Sequence, residues 1–149
     1  VAMPGPAQSL VENGASSLAY GINMFGDACG MVGVGNKSLP FLAPAGLTAE
    51  VLPLPRYTQY GRAWDINNFG DIVGQLDIYR VTGWIHGPGN YYAYLWKGDN
   101  PIDLNTQIDR ESGWGRLLMA TAINDAGVIG GLGPFDIPWR GFVLIPNPK

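Results

Sequence analysis

The sequence is poor in the side chains on which much enzyme chemistry depends. Its 149 residues include one cysteine and one histidine. Cys29 has no partner for an internal disulfide or a Cys-x-x-Cys metal site, and its apolar context, "DACGMVGV", is typical of a buried small hydrophobic residue. His86 lies in a Gly/Pro-rich loop with nothing nearby in sequence to mark it as a catalytic partner. These scarcities argue against thiol or histidine catalysis.

Charge is also scarce. Only 14% of the residues are charged, the nine Lys and Arg are scattered, and the formal net charge is -3. Proteins that bind DNA or RNA normally carry a basic stripe, because neutralising phosphates supplies most of the affinity. No apolar run approaches the roughly 18 to 20 residues that span a bilayer. The sequence therefore predicts neither a nucleic-acid partner nor a membrane span.

Glycine and proline are abundant instead. The 22 Gly and 12 Pro are spread along a chain that is 46% hydrophobic. No window shows a sustained 3.6-residue periodicity, whereas short apolar or alternating segments recur between turn residues. We expect one all-β domain over residues 1–149.

One motif occurs three times. The segments "AYGINMFGDACG" (19–30), "AWDINNFGDIVG" (63–74) and "ATAINDAGVIGG" (120–131) share I-N-x-x-G-x-x-x-G. Such self-similarity is the signature of a repeat architecture. The repeated positions are Ile22, Asn23, Gly26 and Gly30; Ile66, Asn67, Gly70 and Gly74; Ile123, Asn124, Gly127 and Gly131.

Two further segments follow the motif at comparable spacing. An aromatic-centred segment comes first (39–46, 92–99 and 140–147), and an extended segment that contains Leu follows the first two, "AEVLPLP" and "NPIDLNTQI". Repeat two carries an insertion within about 79–91, and a smaller one lies near "DRESGWGR". The predicted repeats cover about 15–58, 59–115, and 116–149 together with 1–14.

The N-terminus carries a spare copy of the extended segment. Leu10 lies twelve residues before Ile22, as Leu54 lies twelve before Ile66. No such segment follows the third aromatic one in the printed sequence. We therefore predict that an N-terminal strand completes the last repeat, either by closing a ring or by pairing with another chain, which would also cover a sheet edge.

The motif itself has two interpretations. Read alone, Asp65, Asn67, Asn68 and Asp71 offer oxygen atoms that a calcium ion would accept. The other two copies do not keep those oxygens, since Gly21 and Ala122 replace Asp65. What recurs are the Ile, Asn and Gly of a tight strand–turn–strand unit, in which Asn bonds backbone amides and Gly supplies a positive φ. We expect a turn and no metal.

Catalytic carboxylates are the remaining enzyme hypothesis. Glycosidases need two of them about 5 to 10 Å apart. No catalytic motif contains the available ones, no G-x-S-x-G is present, and solvated loop charges are the favoured interpretation. We predict no enzyme and no cofactor. The carboxylates considered were Asp77, Asp99, Asp103, Asp109, Glu111 and Asp136.

The repeats resemble a known family. "A-x-x-I-N-x-x-G-x-x-x-G" followed by "AYLWKGDNPIDLN" (93–105) is similar to the HAF family of probable extracellular repeats, from about Ala19 to Pro146. The resemblance implies a secreted protein with β-propeller-like blades and no catalytic residues. Propellers need about four to eight blades, so three repeats imply either assembly or a longer chain. A β-trefoil, built from three repeats, is the alternative fold.

Function is expected in the insertions. Additions to a repeat scaffold tend to lie on one face, often the binding face, and Trp and Tyr suit sugars or a protein partner. We predict a non-catalytic extracellular module that binds a glycan or a surface protein. The alternative is a structural subunit that self-associates into a ring or filament through strand pairing. The predicted binding residues are Tyr79, Arg80, Trp84, His86, Tyr91, Tyr92 and Trp114.

Overall fold

The computed structural model describes residues 15–78, 91–134 and 139–147, and within them the regular structure is β apart from two 3-10 turns. The all-β prediction is confirmed. The 3-10 turns span Leu104–Thr106 and Arg110–Ser112. The strands are β1 Ser17–Ile22, β2 Ala28–Val34, β3 Lys37–Ala43, β4 Glu50–Val51, β5 Thr58–Ile66, β6 Ile72–Ile78, β7 Tyr91–Lys97, β8 Asn100–Asp103, β9 Met119–Ile123, β10 Ile129–Pro134 and β11 Trp139–Leu144.

The strands form two sheets. One has eight strands in the order β1-β2-β3-β5-β6-β7-β8, with β4 also paired to β3, and the other has three in the order β11-β10-β9. All neighbours are antiparallel except β3 and β5, which share a single parallel bridge between Ser38 and Tyr60. Because that link is so short, the strands group as β1–β4, β5–β8 and β9–β11, which we call units 1, 2 and 3. The described sheets are not closed.

The strand order repeats from unit to unit. In each, the strand before the Asn motif pairs with the strand after it, and that strand pairs with the aromatic-centred segment. Units 1 and 2 add a fourth strand, β4 or β8. In the described three-stranded sheet of unit 3, β11 is an edge strand. The N-terminal strand predicted to complete it falls within residues 1–14, outside the described residues.

The second motif glycine is required by a β-bulge. In each unit the strand before the turn carries one extra residue relative to its partner: Tyr20, Trp64 and Thr121. The bulge brings the carbonyl oxygen of Leu18, Arg62 or Met119 against the facing glycine, where a Cβ would overlap it. Only Gly permits such an approach of two backbones.

The core lies largely between units. One cluster joins Cys29 and Leu52 of unit 1 to the Ile66 and Ile72 region of unit 2. A second joins unit 2 to unit 3 in the same manner, and a small third cluster around Phe41 belongs to unit 1. Each unit therefore buries its apolar faces mainly against its neighbours, as expected for a unit too thin to enclose a core of its own.

Candidate functional site

The three Asn motifs form the same hairpin turn. The backbone amides of Asn23, Asn67 and Asn124 donate to the carbonyl four residues on, at 3.0–3.1 Å, and each Asn carbonyl accepts from the motif glycine. That glycine has φ between 74° and 87°, a conformation that L side chains rarely adopt. The Asn Oδ1 accepts the amide four residues on in all three turns. In this structure the motif Asn and Gly thus form the tight turn.

The turns are also joined to one another in one direction. Asn23 Nδ2 donates to the Asn67 carbonyl at 3.3 Å, and Asn67 Nδ2 donates to the Asn124 carbonyl at 3.2 Å. The next residue continues the pattern, since the Met24 amide donates to Asn68 Oδ1 and the Asn68 amide donates to Asp125 Oδ1, both at 2.9 Å. We call this series of bonds the turn relay. It runs from unit 1 through unit 2 to unit 3.

The oxygen atoms that a calcium ion would accept already accept hydrogen bonds from the chain or pair with a lysine. Asn67 Oδ1 accepts from the Phe69 and Asp71 amides. The two oxygens of Asp65 accept from the Ile66 and Ile123 amides, both at 2.9 Å, so this carboxylate ties β5 to β9. Asp71 pairs with Lys97 at 3.0 Å. Across the described ranges no three His, Cys, Asp or Glu are grouped to hold a metal.

Two carboxylates at the turns have lowered pKa values. The Asn23 side chain, and after it the Ala45 amide, donate to Asp27 and lower the pKa of that carboxyl. The Asn68 amide and side chain do the same to Asp125. Hydrogen bonds that favour the charged form hold both groups ionised near neutral pH. Their role is to accept backbone and amide donors at the turns.

Two of the other candidate carboxylates stabilise local turns. Asp103 and Asp109 cap the two 3-10 turns by accepting the amides of Asn105 and Glu111. Asp136 lies outside the described residues.

The thiol of Cys29 is buried completely, as predicted. Burial, opposed by a hydrogen bond from Gly21 and aided by the charge of Asp65, raises the pKa of Cys29 to about 12. Its Sγ lies 3.8 Å from the Ala63 carbonyl. A thiol held in its protonated form is a poor nucleophile, so Cys29 is suited to packing between units 1 and 2.

The surface with which a unit packs against the preceding unit is exposed to solvent in unit 1. Ile66 and Ile123 are buried under the preceding units, with 4% and 8% of their surface exposed, but the equivalent Ile22 is 69% exposed. Ala19 is exposed too, whereas its equivalents Ala63 and Ala120 are fully buried. We call the exposed surface of Ala19 and Ile22 the entry face.

The surface with which a unit packs against the following unit is exposed to solvent in unit 3. Leu95 of unit 2 is 8% exposed because it packs against unit 3, while Val143, the residue at the same place on β11, is 64% exposed. Ala122, which takes the place of Asp65, is exposed as well. We call the surface of Ala122 and Val143 the exit face. Among the described residues, units 1 and 3 thus expose two different halves of the interface that is formed twice between neighbouring units.

The predicted binding residues are only partly placed. Tyr79, Arg80, Trp84 and His86 lie outside the described residues. Tyr91 and Tyr92 lie half-buried on β7, where Arg116 stacks over the Tyr92 ring at 5.2 Å. Trp114 is half-buried and meets Phe142 edge-on at 5.9 Å, against the core between units 2 and 3.

A different aromatic group lies at the bulges. Tyr20 and Trp64 are the extra residues of β1 and β5, and their ring centroids are 4.6 Å apart. Arg62 stacks over the Trp64 ring at 5.5 Å, and Trp64 Nε1 donates to the buried Gln75 Oε1 at 3.0 Å. The sequence held a signal for this group, because "AYGI" and "AWDI" place an aromatic residue at the same repeat position. We call it the bulge cluster.

Comparison with families and with other proteins adds no assignment. Among the described residues, no helix is long and apolar enough to cross a membrane. No family model, no curated protein and no solved structure matches this chain. Its function is therefore inferred from its own geometry.

Proposed function

We propose that the chain is a non-catalytic, propeller-like β-repeat module that works as a structural subunit, with the exit face of one copy docked on the entry face of a second copy. The observation that carries this proposal is the interface between units, which the chain builds twice with equivalent residues. In the described residues, unit 1 exposes one half of this interface and unit 3 exposes the other half.

The internal interfaces indicate what the docked one would contain. Ile66 packs against unit 1, and Ile123 packs against unit 2, at the same place in each interface. Docking would bury Ile22 in the same manner against Val143 and Ala122 of the second copy. Removing apolar surface from water is favourable by roughly 25 cal/mol per Å². It would also bring Asn124 Nδ2 near the Asn23 carbonyl, continuing the turn relay.

The junction between copies would be weaker than the internal ones in one respect. Inside the chain, the Met24 amide donates to the Asn68 side chain and the Asn68 amide donates to the Asp125 side chain. At the junction between copies, the Asp125 amide would instead face the side chain of Met24, whose thioether is a poor acceptor. We therefore expect association that depends on protein concentration.

The two exposed halves differ, so the contact is heterologous. Such contacts close into rings when the rotation permits and otherwise extend into filaments. Two copies would supply six blade-like units, within the four to eight of known propellers. The spacing of Leu10 adds support, because an N-terminal strand that precedes unit 1 would lie beside β11 of the second copy, the edge strand of the described three-stranded sheet.

Light scattering during size-exclusion chromatography tests the proposal. The full chain is expected to elute as a dimer or larger species that dissociates on dilution. Ile22→Asp and Val143→Asp should each give monomers, while Phe69→Asp, equally exposed but at the turn of the middle unit, should leave the mass unchanged.

Mixing the two monomeric variants makes the test specific for a heterologous contact. Ile22→Asp keeps its exit face and Val143→Asp keeps its entry face, so a 1:1 mixture should recover a complex. A wild-type protein that stays monomeric at every concentration would overturn the proposal. So would a mass insensitive to both substitutions.

Binding to a glycan or a surface protein is the second candidate, favoured by the bulge cluster. Tyr20, Trp64 and Arg62 offer two rings in contact beside a guanidinium group, and bulges often aim side chains at binding sites. A glycan array would test it with Trp64→Ala against Trp139→Ala, an exposed tryptophan on β11. Equal signals from both variants and the wild type would remove this cluster from consideration.

The extracellular location is a part of the proposal that depends on the resemblance to HAF repeats alone. Fractionation of the source cells with an antibody to the chain would test it. Recovery of the protein only from the cell interior would contradict it.

A further inference from the structure

A cavity of about 320 Å³ opens between units 2 and 3, within the size range of small-molecule sites. Its buried side is apolar, and its exposed side carries an ion pair between Lys97 and Asp71. The apolar residues most relevant to its shape are Leu104, Ile123, Ile129 and Leu144.

The interface between units 1 and 2 shows what fills the equivalent place. Trp96 pairs with Ile72 across β6 and β7, and Leu144 pairs with Ile129 in the same register across β10 and β11. The indole of Trp96 is buried among Leu52, Ile66 and Ile72, and its Nε1 donates to the Pro53 carbonyl at 2.9 Å. Between units 2 and 3 the smaller Leu144 stands at the position of that indole.

We propose that this cavity binds a small uncharged aromatic molecule with one hydrogen-bond donor, of the size of indole. The apolar side chains would contact the ring, as their equivalents contact Trp96. Gln107 also lines the cavity, and its Nε2 donates to Thr106 Oγ1, which directs the amide oxygen to serve as acceptor. Lys97 and Asp71 neutralise each other, so neither selects a charged ligand.

The site does not depend on the proposed assembly. The cavity lies between two units of one chain. Its lining residues belong to neither the entry face nor the exit face. Binding should therefore be the same in the monomeric Ile22→Asp variant as in the wild type.

Fluorine NMR of 5-fluoroindole titrated with the full chain tests the inference. The expected result is saturable broadening that unlabelled indole reverses and indole-3-acetate reverses much less. Leu144→Trp should place an indole in the cavity and weaken binding at least tenfold. Leu47→Trp, which adds an indole at an exposed position of unit 1 outside the cavity, should bind as the wild type does.

A second variant, together with a measurement of folding, controls for misfolding of Leu144→Trp. Leu144→Phe fills less of the cavity and should weaken binding by a smaller factor, and circular dichroism establishes that each variant is folded. No saturable binding to the wild type at about 1 mM ligand would overturn the inference. Undiminished binding by folded Leu144→Trp and Leu144→Phe would overturn it too.

Discussion

Replacing Asn67 by Ala should destabilise the protein much more than replacing Asn124, although both occupy the same place in the motif. Asn67 is buried, its Oδ1 accepts two amides and its Nδ2 donates to unit 3. Asn124 is exposed, with Oδ1 accepting from Val128. At about 1 kcal/mol per hydrogen bond, Asn67→Ala removes about 3 kcal/mol and Asn124→Ala about 1 kcal/mol or less.

Urea unfolding followed by tryptophan fluorescence and circular dichroism measures that difference. For a chain of this length, 1 kcal/mol corresponds to about 2 to 4 °C in Tm, so the melting temperatures of the two variants should differ by several degrees. Equal losses would show that the additional side-chain bonds of Asn67, including its relay bond to unit 3, contribute no stability. A rise in Tm on adding calcium to the wild type would instead revive the cation interpretation of the same loop.

Two further predictions concern the glycines and the thiol. Gly74→Ala should cost about 3 kcal/mol or more in urea unfolding, because its Cβ would overlap the Arg62 carbonyl; Gly70→Ala, at φ 79° with open space around it, should cost only about 1 to 2 kcal/mol. Equal costs would contradict the bulge explanation. Between pH 9 and about 12 the unfolded chain loses the Cys29 proton that the folded chain keeps, so the free energy of unfolding should fall as pH rises. That fall should be smaller in Cys29→Ala, and an identical pH profile in both proteins would refute it.

Much of the strand and turn pattern could be predicted because the sequence repeats it. Three copies of one motif separate the positions that must be kept, Asn23 and Gly26 with their equivalents, from those that vary, such as Asp65. A single copy would have left the cation and turn interpretations equal. The all-β character followed from the same periodicities, and the described residues show it.

The surfaces could not be predicted in the same way. Ile22, Ile66 and Ile123 are identical residues at identical motif positions, yet one is exposed and two are buried, because burial depends on which units have a neighbour. The packing of Trp114 against Phe142 and the stacking of Tyr20 on Trp64 join residues far apart in sequence. The repeat places Tyr20 and Trp64 at equivalent positions, but single-sequence spacing does not show that equivalent positions of two units lie in contact.

The turn relay also constrains how a chain of this kind can grow. Each bond of the second series runs from a backbone amide to the side chain of the following unit, so this bond forms only where the following unit has an acceptor at that place. The amide of Asp125 could donate to an acceptor in a unit that follows unit 3. The thioether of Met24 is too poor an acceptor for the amide of a unit that precedes unit 1. Gene duplication could therefore append a copy of unit 2 after unit 3 with the relay intact. The same copy placed ahead of unit 1 would lose that bond until Met24 was replaced by Asn or Asp.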